Sequence, residues 1–357
     1  MRKAAITSGV IGLILLVAAG LLAWWITPTF AARLPGNYNK TRTYDGTVHS
    51  LFDPAALAGA NPASAVRKNL PATLTQNVKT VQTSGNTALI QQTATIKAAG
   101  SQVGRTVSRY AVNRQTLMAT RSHPGGWNVT PASGITVSWP LGAKKQTYTG
   151  WVSQTETTTP LRYVREAQQG GTDTYVYQAN VPPTPIKNPQ VLAALPTSLP
   201  TSLLPSLLHA GLVSAAQIAD LSRIFPGATS IPLGYTYQNR NTYYVSPASG
   251  LVVNVNNNET QMGGVKLPTG QIVPFIPVLD YSYHASPASL SQAASDAKSS
   301  SSGITLLGVT LPIIAAALGF LLLVLAVLLW MRGRARGKPV EREHGGHRAP
   351  SPVGRVR

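Results

Sequence analysis

Outside the hydrophobic ends of this 357-residue chain, the residues best suited to proton transfer or metal ligation are His49, His123, His209 and His284, and their spacing suits neither task. No two of them fall within one helical turn, as a paired-histidine zinc helix requires, and neither a nucleophile elbow nor a phosphate-cradling loop accompanies them. Asp280 and His284 are the nearest acid–base pair. Four apart on a strand, they share a face but stand two pleats apart, which suits a polar strand better than a dyad. The chain has no cysteine, which removes disulfides, thiolate metal sites and cysteine catalysis. No catalytic residue, metal site or cofactor is expected, and the chain reads as a binding or scaffolding protein and not as an enzyme.

The remaining chemistry is aromatic and aliphatic. Tyr175 and Tyr177, Tyr235 and Tyr237, and Tyr281 and Tyr283 form three Tyr-x-Tyr pairs, and alternate residues of a strand share a face. Six rings on one surface would line an amphipathic cavity or pack a sheet core equally well, since tyrosine joins an apolar ring to a polar tip. Between residues 192 and 231 lies a leucine-rich run broken by Pro196, Pro200 and Pro205, too interrupted to cross a membrane. It supplies Leu203, Leu204, Leu207, Leu208, Leu212, Ile218, Leu221 and Phe225, which need either a protein core or an apolar ligand. These eight, with Tyr175, Tyr177, Tyr235 and Tyr237, are the candidate ligand-binding residues.

The elements that must position them read as follows. Ala88, Ile90, Ala94 and Ile96 alternate with polar residues, after a Ser84-Gly85-Asn86 hairpin signal. Further strands are expected at 105–112, 135–139, 174–181, 233–238, 242–245, 251–256, 272–278 and 279–284. Gly125-Gly126, Gly170-Gly171 and Gly263-Gly264 read as turns between strands. Ser214 with Gln217 is a capping-box pattern, and Pro226-Gly227 a stop, so a helix is expected from about Ala215 to Phe225, with a shorter one from Leu203 to Ala210 ending at Gly211. Prolines at 28, 35, 54, 62 and 71 suggest an ordered stalk with short strands over 27–70. Residues 285–303, mostly Ser and Ala, read as a flexible tether.

Two stretches anchor this domain. Residues 4–26 carry no charge, and 304–330 are polar only at Thr305 and Thr310; each is long enough for a hydrocarbon core of about 30 Å. Trp24, Trp25 and Trp330 sit where interfacial aromatics belong. Arg332, Arg334, Arg336 and Lys338 follow the second stretch, whereas Lys298 and Asp296 offset one another before it, which places the C-terminus in the cytoplasm. Two passes then put both termini inside and residues 27–303 outside, at the cell membrane. The competing reading is a signal peptide cleaved near Thr29, Ala31 and Ala32. The formal charge of +19 is divided among the N-terminus, the domain (20 basic against 9 acidic residues over 27–303) and the basic tail 331–357, which is expected to be disordered. Such scattered charge does not describe a nucleic-acid site; its expected partners are the lipid bilayer and, outside, anionic wall polymer. The fold expected is α+β: a mostly antiparallel β domain with a short helical insert, flanked by two transmembrane helices.

Trp139-Pro140-Leu141-Gly142 leading to Tyr148 and Trp151, Pro160 to Val164 before Gly170, and Tyr244 to Val253 with its Pro-Gly turn resemble the actinobacterial porin PorA-like family of two-anchor membrane proteins. Where that family's turn often reads Asp-Pro-x-Thr-Gly, this chain has Ser246-Pro247-Ala248-Ser249-Gly250. More distantly, the layout is similar to the class B scavenger receptors, which implies a β-rich domain with apical helices and an internal lipid tunnel. Three functions follow as expectations: binding or shuttling of a lipid or other apolar envelope component, a scaffold docking on wall polymer, and an oligomeric pore.

Overall fold

The computed structural model describes residues 2–31, 33–53, 56 and 62–335, and the chain divides into two units, one made by its hydrophobic ends and the other by residues 28–305. The tail beyond Ala335 and Ala32 at the alternative cleavage site lie outside the described residues. Helix α1 (Arg2–Leu21) runs on in wider π-helical turns to Ala31, where Pro28 removes a backbone donor. Its apolar part, Ile6–Thr27, has 22 residues, about 33 Å at 1.5 Å per residue.

The β-rich unit follows in the order β1 (Asn39–Phe52), β2 (Val66–Ser84), β3 (Thr87–Ala98), β4 (Ser101–Asn113), β5 (Tyr148–Val152), β6 (Thr157–Gln169), β7 (Thr172–Pro185), α2 (Pro189–Leu192), β8 (Ser198–Pro200), α3 (Leu204–His209), α4 (Ala215–Ile224), β9 (Ser230–Val245), β10 (Val252–Lys266), β11 (Ile272–Ala285) and α5 (Pro287–Thr305). The main sheet runs β4-β3-β2-β1-β11-β10-β9-β7-β6-β5, antiparallel at every step and curled into a half-barrel, with β8 added beside β9. The unit is α+β, as the sequence suggests.

Four expectations need correction. The described residues of 27–70 do form strands, but not in a stalk: β1 lies mid-sheet, hydrogen-bonded to both β2 and β11, and β2 carries Pro71 within it. Strands expected as pairs, 233–238 with 242–245 and 272–278 with 279–284, are single long strands. Gly263 and Gly264 are not a turn but lie inside β10, where a Cβ on Gly264 would come 2.3 Å from the Val273 carbonyl oxygen. The segment 135–139 is not a strand: it bridges through Ile135 alone, to Met118 and Gly150, and with Val112 bridging Ala119 these irregular pieces link edge strand β4 to edge strand β5. The same edge is sealed further along by Gln190, whose amide accepts from the Val107 N–H (2.9 Å) and donates to its carbonyl (2.7 Å).

The tether expected over 285–303 is also corrected, because α5 occupies it. Ser289, Ala293, Ala294 and Ala297 recur at helical spacing and are buried, the alanines against Val253. Small side chains let the helix lie close on the sheet; a Cβ added to Gly170 would come 2.9 Å from the Ala294 Cβ. Asp296 fixes the helix to β1 through Arg42 and Lys40, the latter at 3.0 Å. Burial by itself would raise the Asp296 carboxyl, but these two cations hold it below the usual carboxylate range.

After further π-helical turns (Leu306–Thr310), α6 (Leu311–Ala335) takes Pro312 in its first turn, the position where proline is tolerated. Helices α1 and α6 pair antiparallel through small residues. Gly12 and Gly319 meet at the crossing, where a Cβ on either would lie 2.7 Å from the other's carbonyl oxygen. Gly9 faces Ala326, and Gly308 faces the buried Thr27.

Candidate functional site

The helical insert sits at the Phe52 end of β1, packed with Phe52, Ala56 and Ala65. Along β1 it lies well away from Thr43, where α5 meets the strand through Ser289, a separation of about 30 Å at the usual strand rise. Its local folding follows the sequence closely. Pro205 enters α3 in the first turn, and Gly211 closes it at φ +68°. Ser214 and Gln217 form a complete capping box, each side chain accepting from the other's backbone N–H, and Gly227 at φ +67° turns the chain away after Phe225.

Between α3 and α4 opens a cleft of about 440 Å³, lined mainly by Leu204, Leu208, Ile218, Leu221, Phe225 and Ile231. Its size lies in the range of about 300–1,000 Å³ common to small-molecule sites. Thr201 and Ser222 are its hydroxyl members, and both hydroxyls are taken by backbone carbonyls: Thr201 by Ala228 and Thr229, Ser222 by Ile218. The cleft thus offers an occupant dispersion and desolvation and little hydrogen bonding.

The structure divides the candidate residues. Leu204, Leu208, Ile218, Leu221 and Phe225 line the cleft, whereas Leu207 is 1 % exposed in the core with Leu199, Val213, Ile231 and Val265, and Leu203 and Leu212 pack against that core. Pro205, Gly227 and Ile231 also line it; in the sequence they read as helix punctuation and a strand start.

The tyrosines lie in other clusters. Tyr177, fully buried, has Trp139, Tyr148 and Tyr163 around it at ring-centroid distances of 5.2, 5.8 and 5.9 Å, and its hydroxyl donates to the Lys144 carbonyl. Tyr175 packs on Tyr163, with the Lys145 ammonium 5.5 Å from its ring centre. Tyr235 donates to the Pro196 carbonyl at 2.6 Å, and burial pushes its own hydroxyl pKa up to about 12. These rings pack a sheet core, and the Tyr177 and Tyr235 tips are spent on backbone acceptors.

Tyr237 belongs to a polar belt that the sequence reading missed. Glu259, 3 % exposed in mid-β10, stands between its cross-strand partners Asn239 and Tyr281. Its carboxylate accepts from the Tyr237 hydroxyl and the Gln261 amide, each at 3.1 Å. Burial raises the Glu259 carboxyl, and hydrogen bonding from Gln261, Tyr237, Tyr281 and Asn239 offsets only part of that rise. Beside it Asn257 donates to Asn241, which donates to the Tyr243 hydroxyl. The strand expected over 251–256 stops short of Glu259 because both faces of β10 are polar from Asn256 to Gln261 and no alternation marks its continuation.

Asp280 bonds Thr260 and His284 is exposed, so the two form no dyad. Among the described residues no three of His, Cys, Asp and Glu gather into a metal site. Two apolar helices and a half-barrel sheet with an apolar cleft define an α+β membrane protein.

The chain belongs to the porin PorA family, whose model, described as "Porin PorA", matches residues 4–328. The motifs that carry the resemblance meet in space. Trp139 donates to the Gly250 carbonyl, and Gly142 and Ala143 donate to those of Ala248 and Pro247, so the Trp-Pro-Leu-Gly segment docks on the Ser-Pro-Ala-Ser-Gly turn. No curated protein matches the chain. Solved structures similar over part of it include a conserved hot dog fold protein of unknown function from Alicyclobacillus acidocaldarius (13% identity, 71% of this chain and 79% of that one, TM-score 0.13). Another is an acyl-CoA thioesterase II, TesB2, from Mycobacterium marinum (10% identity, 69% and 80%, TM-score 0.12). At such TM-scores neither bears on fold or function.

Proposed function

We propose that this protein is a non-catalytic, membrane-anchored binding protein whose β-rich domain faces the outside of the cell and captures a lipid or similar apolar envelope component between α3 and α4. The observation that carries this is the cleft itself: apolar walls, hydroxyls already satisfied, and a position at the end of the domain opposite its chain termini. The antiparallel pairing of α1 with α6 supports an uncleaved first helix and puts Arg2 and Lys3 on the same side as Arg332, the cytoplasmic side by the distribution of basic residues. A continuous apolar route through the sheet is disfavoured by the belt around Glu259, so the reading is confined to capture at the cleft. The test is mass spectrometry of lipid co-purifying with the full chain from native membranes. A bound lipid depleted in Leu208→Arg supports it, and lipid absent from both, or equal in both, overturns it.

A second reading rests on the 20 basic against 9 acidic residues over 27–303: docking on anionic wall polymer. Cosedimentation with purified cell wall that disappears at high salt would select it. The family's description favours a third, an oligomeric pore. Lys97 and Arg105 are exposed on the outward faces of β3 and β4, where a lipid-facing barrel needs an apolar band, so a pore would have to form from the helices. Conductance in planar bilayers and a stable detergent oligomer would select that one.

A further inference from the structure

Glu259 has no ion-pair partner among the described residues, although it is buried in the middle of the sheet. An ionised carboxylate in such a place needs a counter-charge or a proton. Burial pushes this carboxyl towards the proton, and the donors around it push towards the charge. A protonated carboxyl needs an acceptor, whereas Tyr237 and Gln261 both present donors to this one and so favour the charged form. What the belt lacks is a partner for its amide oxygens. Asn239, 3 % exposed and directly across the ladder from Glu259, turns its Nδ2 to that carboxylate and leaves Oδ1 without a partner. Asn257, 6 % exposed and next to Glu259 on the same face of β10, spends its Nδ2 on Asn241 and leaves Oδ1 without a partner.

We infer that the belt is a binding site for a desolvated monovalent metal cation, sodium or potassium, held by the Glu259 carboxylate and the amide oxygens of Asn239 and Asn257, with the Tyr237 and Tyr281 hydroxyls completing the shell. All of these are hard oxygen donors, the ligand type of alkali and alkaline-earth ions, and no nitrogen or sulfur donor competes. The charge count selects the monovalent ion: one carboxylate and one monovalent cation make a neutral buried cluster, whereas a divalent ion would leave a net positive charge in the sheet.

The test is thermal unfolding of the full chain in detergent, at fixed pH and ionic strength, in sodium, potassium or N-methylglucamine chloride. The wild type is expected to melt about 5 °C higher, saturably, in the chloride of its cation than in N-methylglucamine chloride. Glu259→Gln is expected to melt at one temperature in all three. Asn239→Ala, which keeps the carboxylate and removes one oxygen, is expected to raise the half-saturating concentration about tenfold and serves if Glu259→Gln does not fold. Equal melting of the wild type in all three salts overturns the site, and so does a salt response that the variants retain unchanged.

Discussion

Leu207 and Leu208 are neighbours on one short helix with opposite surroundings, and this separates an occupied cleft from an ordinary core. Leu207 is 1 % exposed and Leu208 42 % exposed at the cleft wall. Leu207→Ala leaves a cavity and should cost about 2–5 kcal/mol of stability, lowering Tm by about 4–15 °C for a domain of this size. Leu208→Ala should change Tm far less. An occupant that covers the exposed two-fifths of Leu208 gains roughly 0.6–1.3 kcal/mol from it, taking about 1.5–3 kcal/mol for a whole leucine. That is about 3- to 9-fold in affinity. The assay is titration of both variants with a fluorescent fatty acid, alongside a thermal melt. Weaker binding in Leu208→Ala at nearly unchanged Tm is the expected pattern. Equal affinity for wild type and Leu208→Ala, or equal destabilisation by both substitutions, would refute the assignment of Leu208 to a ligand-facing wall.

The absence of native cysteine makes the helix pairing testable by cross-linking. With Gly9 built as a Cβ-bearing residue, its Cβ lies 3.6 Å from that of Ala326, inside the range for a disulfide, so Gly9→Cys with Ala326→Cys should cross-link in membranes under mild oxidant; a control pair with Gly20→Cys, which has nothing within 4 Å, should not. Gly250 has φ +68° and a Cβ there would meet the Trp139 carbonyl oxygen at 2.2 Å, so Gly250→Ala should lower stability by at least about 1–3 kcal/mol, read as a Tm loss together with a shift in tryptophan fluorescence. Asp296 has a folded pKa below its unfolded value of 3.8, so its contribution is present above that pH and disappears as the pH falls through the folded pKa. Asp296→Asn should therefore cost about 1 kcal/mol near neutrality and flatten the acid limb of the stability profile, as followed by denaturant melts.

Legibility followed the contrast between the two faces of each element. The capping box at Ser214 and Gln217, and the alternation from Ala88 to Ile96, sit where apolar and polar sides differ, and both were readable. In β10 the inward residues Asn257, Glu259 and Gln261 are as polar as the outward Asn256, Asn258 and Thr260, so period-two patterning fades there and the expected strand stops at Asn256. Helix α5 was hidden for a related reason: its buried stripe is Ser and Ala, which composition reads as tether although the spacing is helical. Of the cleft, the leucines were visible as a group, but which faced outward depended on how α3 and α4 lie against Ala65 and Val265, long-range contacts that local spacing does not encode.

Everything proposed for the cleft requires residues 28–305 to lie across the membrane from the basic tail. A single cysteine placed at the exposed Gln102, or at Ser351 in the tail, decides this with a membrane-impermeant maleimide. The expected result is labelling of Gln102→Cys in intact cells, with Ser351→Cys labelled only after permeabilisation. The reverse pattern, the tail labelled in intact cells and Gln102→Cys protected, would contradict the topology and with it the proposed role.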